Sequence, residues 1–238
     1  MTEKLFLTSP YLAETDGTVT AITEDGGIVV DRTVFYAQGG GQPGDTGALA
    51  WDGGRCDIVN TVKGGGDDIV LIPREGADLP PAGAEVTQKI DWDRRHRLMR
   101  VHTALHLLSV VIPLPVTGGS IGEGKGRLDF DMPEAPEDKA ALQQELDALV
   151  GADYRVTEDW ITDEELAAKP ELVKTMSVKP PSGAGRVRLI RIGTDDGQVD
   201  LQPCGGTHVA STAEIGRAVI GKIEKKGRQN RRVTVTLE

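Results

Sequence analysis

Two short spacings concentrate residues that bind metals. His102 and His106 stand four apart in "RVHTALHLL", and Cys204 and His208 stand four apart in "PCGGTHVAST". The chain holds 4 histidines and 2 cysteines in all, so these pairs take most of the histidines and half of the cysteines. On a helix, side chains at i and i+4 project from one face at adjacent turns. Gly205 and Gly206 argue against a helix around Cys204 and for a tight loop that turns both side chains inward. Alone, each pair is as compatible with an ordinary helix face or an ordinary turn as with a ligand pair. Together they offer three imidazoles and one thiolate, a donor set suited to Zn²⁺.

Such a set could close a structural zinc site by itself, or belong to a catalytic site that exchanges a position with substrate. Zinc proteases place a general-base glutamate directly after the first histidine, and here Thr103 stands there. Hydrolysis at this centre would draw on the metal, on backbone donors or on groups of the substrate. That favours an activated ester over an amide. Thr103 is a candidate contact to the substrate, with a core-facing threonine as the alternative. Cys56 has no histidine nearby in sequence and reads as a small buried residue.

The elements that must bring the pairs together follow from periodicity. The run "DRRHRLMRVHTALHLLSVVI" repeats Leu98, Val101, Leu105 and Leu108 at helical spacing until Pro113. Downstream, "GRLDFDM", "RVRLIRIG", "AVIGKIEKKG" and "RRVTVTLE" read as strands, and "APEDKAALQQELDALVG" as a helix. Thr162 with Glu165 opens a short helix as a capping box, and Pro170 ends it. Upstream, short alternating runs separated by glycine turns at 25–27, 52–54 and 64–66 read as a small barrel. The expected fold is therefore α+β: an N-terminal β-barrel over residues 1–92, then an α+β two-layer sandwich over 93–238 carrying the metal residues.

The chain has 238 residues, 38% hydrophobic and 27% charged, with no run long enough for a signal peptide or a membrane span. Two cysteines are few for a disulfide scaffold, so reduced thiols and a cytoplasmic location are expected. The net charge of −10 is uneven, because the stretch from Asp131 to Glu171 accounts for all of it. "DRRHRLMR" and the segment from Arg217 to Arg232 are basic, which phosphate binding requires. Arg94, Arg95, Arg97, Arg228 and Arg231 are the candidates there, and His96 is expected at the surface or facing RNA. "GGGQPG" fits the dinucleotide fingerprint literally, but no βαβ unit surrounds it and Pro43 opens no helix. Its glycines read either as a tight barrel corner or as backbone that a ligand can approach closely.

"RLMRVHTALHLL", "VTGGSIGEGKGRLDF", "VRLIRIG" and "DLQPCGGTHVASTAEIG" together resemble the editing domain of alanyl-tRNA synthetase and its free-standing AlaX relatives. "VFYAQGGGQPGDTG" resembles the glycine-rich motif of the AlaX class that keeps an N-terminal barrel. The threonyl-tRNA synthetase editing domain shares the metal pattern but not this segment. The resemblance implies a deacylase acting in trans on mischarged tRNA-Ala, chiefly its seryl and also its glycyl ester. It implies zinc held by His102, His106, Cys204 and His208; if the glycine segment is the ligand-approach kind, Gly39, Gly40, Gly41 and Gln42 are the residues that would meet the tRNA acceptor end. In the synthetase a glutamine in the segment matching "VTGGSIG" tunes amino-acid choice; here Gly118 and Gly119 stand in that stretch. Two other readings fit the same residues: a non-catalytic, zinc-stapled RNA-binding module, and a metallohydrolase of small esters.

Overall fold

A computed structural model describes residues 1–136, 138–175, 185–194 and 196–238. The chain is mixed α+β and divides into two compact units, Met1–His96 and Arg97–Glu238.

In the first unit the strands are β1 (Glu3–Lys4), β2 (Glu14–Ile22), β3 (Ile28–Val30), β4 (Arg32–Thr33), β5 (Gly47–Trp51), β6 (Gly54–Lys63), β7 (Ile69–Pro73) and β8 (Glu85–Ile90). Six of them close a barrel in the order β2-β3-β7-β6-β5-β8. Closure leaves no unpaired edge, which suits strands this short. Alternation supplies the core: Val86, Gln88 and Ile90 of β8 point inward, and Ile28, Leu49, Cys56, Ile58 and Leu71 meet Phe35 inside. Cys56 is free and packs as the small core residue expected of it, its thiol pushed up by burial and by the neighbouring Asp57.

One charged pair lies inside this unit. Arg95 and Asp45 are both essentially inaccessible. The Arg95 guanidinium donates to both Asp45 carboxylate oxygens and to the carbonyls of Pro10 and Val34. Asp45 also accepts from the backbone N–H of Tyr36 at 2.7 Å. The pair thus ties the glycine-rich segment to the start of α1 (Trp92–Val111).

The second unit holds the remainder of α1, then β9 (Val116–Gly122), β10 (Lys125–Asp131), α2 (Lys139–Gly151), β11 (Val156–Thr162), α3 (Asp163–Ala167), β12 (Arg186–Gly193), β13 (Gln198–Pro203), β14 (Ala218–Lys226) and β15 (Asn230–Leu237). The strands form a four-stranded sheet, β14-β15-β10-β9, and a three-stranded sheet, β11-β12-β13. From Leu98 to Leu108 nearly every residue of α1 is buried, so the helix is a central element with more than one apolar stripe inside. Gly126 lets it approach the sheet, since a Cβ there would lie 2.6 Å from Val101 Cγ1 and 2.9 Å from Leu105 Cδ1. Asp138 caps α2 by accepting from Ala141 N–H at 2.9 Å. Gln143 of α2 then bonds the edge of β14 through Ala218 O and Ile220 N–H. The capping box at Thr162 and Glu165 opens α3.

Three strands depart from the sequence reading. β9 carries Gly118 and Gly119, which dilute its strand signal. β11 reads "VTEDWIT", where Glu158 and Asp159 break the apolar alternation. Those acids are matched across the ladder, Glu158 with Arg188 at 3.0 Å and Asp159 with Arg191 at 2.7 Å. β13 places two polar side chains, Asp200 and Gln202, on its buried face.

Two consequences can be measured. Asp45→Ala leaves Arg95 buried without its counter-charge and should cost about 3–5 kcal/mol in urea unfolding, whereas adding Arg95→Met should recover much of that loss. Asp129 of β10 is held below its ordinary value of 3.8, first by the hydrogen bond from Arg232 and then, against partial burial, by Arg127. Because the folded value lies below the unfolded one, this carboxylate stabilises the fold above the unfolded value. That contribution disappears as pH falls through the folded value. Asp129→Asn should flatten this part of the acid limb in unfolding curves recorded at stepped pH.

Candidate metal centre

His102 and His106 leave α1 from adjacent turns, and the turn after β13 carries Cys204 and His208 to the same place. One donor atom from each of the four lies within 4.8 Å of every other. Cys204 Sγ is 3.5 Å from His102 Nε2 and 3.3 Å from His208 Nε2. Zinc bonds of roughly 2.0–2.1 Å to nitrogen and 2.3 Å to sulfur, arranged tetrahedrally, put ligand atoms about 3.3–3.6 Å apart. Two separations fall in that range, and the donor set could hold a metal ion such as zinc. The three imidazoles are buried and Cys204 is half-buried. The sulfur also receives the Gly206 backbone N–H at 3.4 Å.

Side chains that sequence reasoning had not singled out surround the four donors. Asp200 of β13 lies 3.0 Å from His106 Nδ1, and it accepts from Lys174 Nζ at 2.6 Å and Gln202 Nε2 at 2.7 Å. Arg188 of β12 donates to Cys204 O at 3.1 Å and Gly206 O at 2.8 Å while pairing with Glu158, which holds the Cys-Gly-Gly turn open. In sequence, Asp200 is one acid among many and Arg188 one of three arginines in "RVRLIRIG". Only alternation along the strand could have marked them as inward-facing.

The electrostatics prepare the set for a cation. Burial opposes ionisation of the Cys204 thiol, but His102 and His208 beside it hold it well below the usual thiol range. Burial and the adjacent His102 hold His208 well below the ordinary imidazole value. Burial also opposes charge on His106, yet hydrogen bonds with Asp200 and Cys204 leave it raised to about 9. Asp200, despite burial, is held at about 2 by His106 and Lys174. Cysteine binds a metal as thiolate and histidine as neutral imidazole, so a metal held by these residues would release protons on binding.

The remaining candidates fall in several places. Thr103 is completely buried, its hydroxyl within 3.0 Å of Met99 O and 3.1 Å of His208 Nδ1, so it faces the metal residues and not a substrate. Gly39, Gly40, Gly41 and Gln42 form a tight turn in the first unit, with Gly39 and Gln42 exchanging backbone hydrogen bonds. Gly40 and Gly41 carry φ of 57° and 84°, which is the geometry of a two-residue hairpin turn. Gln42 is buried, Gly39 lies near Lys63, and Gly40 is open to solvent. Arg94 is half-buried and donates to Gly44 O, and His96 stacks on Trp92 with centroids 5.6 Å apart. Arg97 and Arg228 are exposed, Arg97 pairing with Glu123.

Two basic candidates require correction. Arg95 is wholly consumed by Asp45 and two carbonyls, and Arg231 is buried with its guanidinium on the carbonyls of Pro133 and Asn230. Neither can reach a phosphate. Basic runs in a sequence report charge but not burial, and a buried guanidinium must find acceptors inside the protein. The exposed cations of the C-terminal hairpin are Lys222, Lys225, Lys226 and Arg228.

Comparison with known proteins agrees with this layout. The family model for the threonyl and alanyl tRNA synthetase second additional domain matches residues 187–234, which span β12 to β15 and include Cys204 and His208. A second model, for class II (A) tRNA synthetases, matches residues 9–94. The alanyl-tRNA editing protein AlaX-M of Methanosarcina acetivorans is 35% identical, covering 100% of this chain and 99% of its own. The chain belongs to the AlaX-M family of alanyl-tRNA editing proteins. The AlaX-M of Saccharolobus solfataricus is 33% identical over the full length of both chains. The alanine–tRNA ligase of Pyrobaculum arsenaticum is 35% identical over 94% of this chain, which corresponds to 25% of the ligase. AlaX-M proteins thus share the whole of both units, and the ligases contain them as one part. Among the described residues, no helix is long and apolar enough to cross a membrane.

Proposed function

We propose that this chain hydrolyses the ester of mischarged tRNA-Ala in the cytoplasm, removing serine and also glycine, with zinc held by His102, His106, Cys204 and His208. The observation that carries the reading is the convergence of those four donors, within 4.8 Å of one another, in a full-length member of an alanyl-tRNA editing family. Zinc, when bound, would supply Lewis-acid polarisation at the reacting ester. The protein's own contribution is to bind, orient and exclude. Asp200 and Thr103 are both committed to histidines, so neither offers a free general base. An aminoacyl ester is already activated, and holding it in one orientation removes much of the entropic part of the barrier. Serine differs from alanine by one hydroxyl, and a site that hydrogen-bonds this hydroxyl disfavours the amino acid lacking it. The exposure of Arg97, Arg228 and the lysines of the β14–β15 hairpin supports contact with phosphates, and the open surroundings of Gly40 support close approach of a ligand to its backbone.

One observation favours a second reading. Four protein donors within 4.8 Å of one another match the ligand count of closed, structural zinc sites, which suits an RNA-binding module stapled by its metal. Both readings meet the same experiment. The zinc-loaded protein is incubated with seryl-, glycyl- and alanyl-tRNA-Ala, and RNA binding is measured in parallel. Seryl and glycyl esters should disappear and the alanyl ester should persist, and His102→Ala or Cys204→Ala should slow the reaction by roughly 100-fold or more. Tight binding with no ester loss above the spontaneous rate would leave the structural module. Cleavage of free aminoacyl esters at the same rate, insensitive to salt, would instead mark a small-ester hydrolase.

A further inference from the structure

We infer that Thr103 and Asp200 are positioning residues that fix the tautomers of His208 and His106, so that both imidazoles present Nε2 to one ion. The inference deepens the proposed zinc site and rests on it. A neutral imidazole carries its proton on one nitrogen and its lone pair on the other, so whichever group occupies Nδ1 decides what Nε2 can do.

The Thr103 hydroxyl has one hydrogen and lies 3.0 Å from Met99 O, an acceptor that cannot donate. The hydrogen therefore goes to Met99 O, which leaves Thr103 Oγ1 as an acceptor only. Its acceptor side faces His208 Nδ1 at 3.1 Å and the Val209 backbone N–H at 3.3 Å. His208 Nδ1 must then be the donor, so Nε2, the nitrogen 3.3 Å from Cys204 Sγ, keeps its lone pair. At His106, Asp200 sits among donors, with Lys174 Nζ on one oxygen and Gln202 Nε2 on the other. A carboxylate so placed accepts from His106 Nδ1 at 3.0 Å and turns Nε2 toward the cluster. The two locks come from opposite sides. Thr103 lies on α1 and holds the histidine of the loop, whereas Asp200 lies on β13 and holds a histidine of α1. Each half of the site thus orients the other.

The test reads metal affinity as well as activity. Zinc dissociation constants are measured by competition with a chromophoric chelator, and the cobalt-substituted proteins are compared by visible absorption. Thr103→Val keeps the shape and removes the acceptor, while Thr103→Ser keeps the acceptor. Thr103→Val and Asp200→Asn should each weaken zinc by about 10–100-fold and alter the cobalt bands. Thr103→Ser should bind as the parent does. Parent-like affinity and cobalt spectra in both Thr103→Val and Asp200→Asn would overturn the inference. If Asp200→Asn fails to fold, as judged by circular dichroism, the threonine pair decides alone. A parent protein that binds no zinc would remove the metal site itself, an outcome distinct from a parent that binds zinc and variants that bind it equally well.

Discussion

The second unit is built around one constraint: three imidazoles and a thiolate must share a space small enough for a single ion, largely out of water. Buried without a cation, such a group carries charge that the interior does not solvate. The local balance reflects this: the Cys204 thiol and the His208 imidazole are held well below their ordinary values, and His106 is raised beside Asp200. A metal at the centre would replace the proton as the compensating charge.

Much of the surrounding architecture can be understood as support for that convergence. Gly126 allows α1 to lie close to the four-stranded sheet, which fixes where the helical histidines stand. Arg188 spans two carbonyls of the Cys-Gly-Gly turn and is itself anchored to β11 by Glu158. A flexible lysine could not hold both carbonyls and the carboxylate with one planar fork. Helix, turn and three-stranded sheet are consequently joined through polar contacts at the point where the donors meet.

How much of this could be read from the sequence depends on whether the information is local. The histidine pair and the Cys-Gly-Gly-Thr-His turn carry their own geometry in their spacing, and they identify the donors before any fold is known. The glycine turns of the barrel are equally local, and Gly26, Gly53 and Gly66 all adopt positive φ at the expected corners. Thr103 and Asp200 are not local. Their roles exist only because residues about a hundred positions away arrive beside them, and nothing in "HTALH" or "QVDLQ" announces that. The same holds for Arg95, whose neighbours in sequence suggest a basic surface while its partner, Asp45, lies fifty residues upstream. Strands fail for a related reason. β11 is stabilised by acids that pair with β12, a cross-strand effect invisible to a periodicity argument made one strand at a time.

The corrections to the basic residues also change what an acidic chain means here. Asp129 holds Arg127 and Arg232 on β10 and β15, and Arg95 and Arg231 are turned inward. Several guanidiniums are therefore part of the framework and absent from any outward field. What faces solvent on the C-terminal hairpin is mainly lysine, a mobile point charge able to follow a phosphate backbone without fixing its register. Electrostatic attraction of that kind draws RNA in and carries no information about which amino acid it bears. Under the proposed editing function, selection would fall to short-range hydrogen bonding around His102, His106, Cys204 and His208. A rigid donor cluster would serve that proposed purpose, because a discrimination resting on a single hydroxyl survives only where the groups around it cannot shift to accommodate its absence.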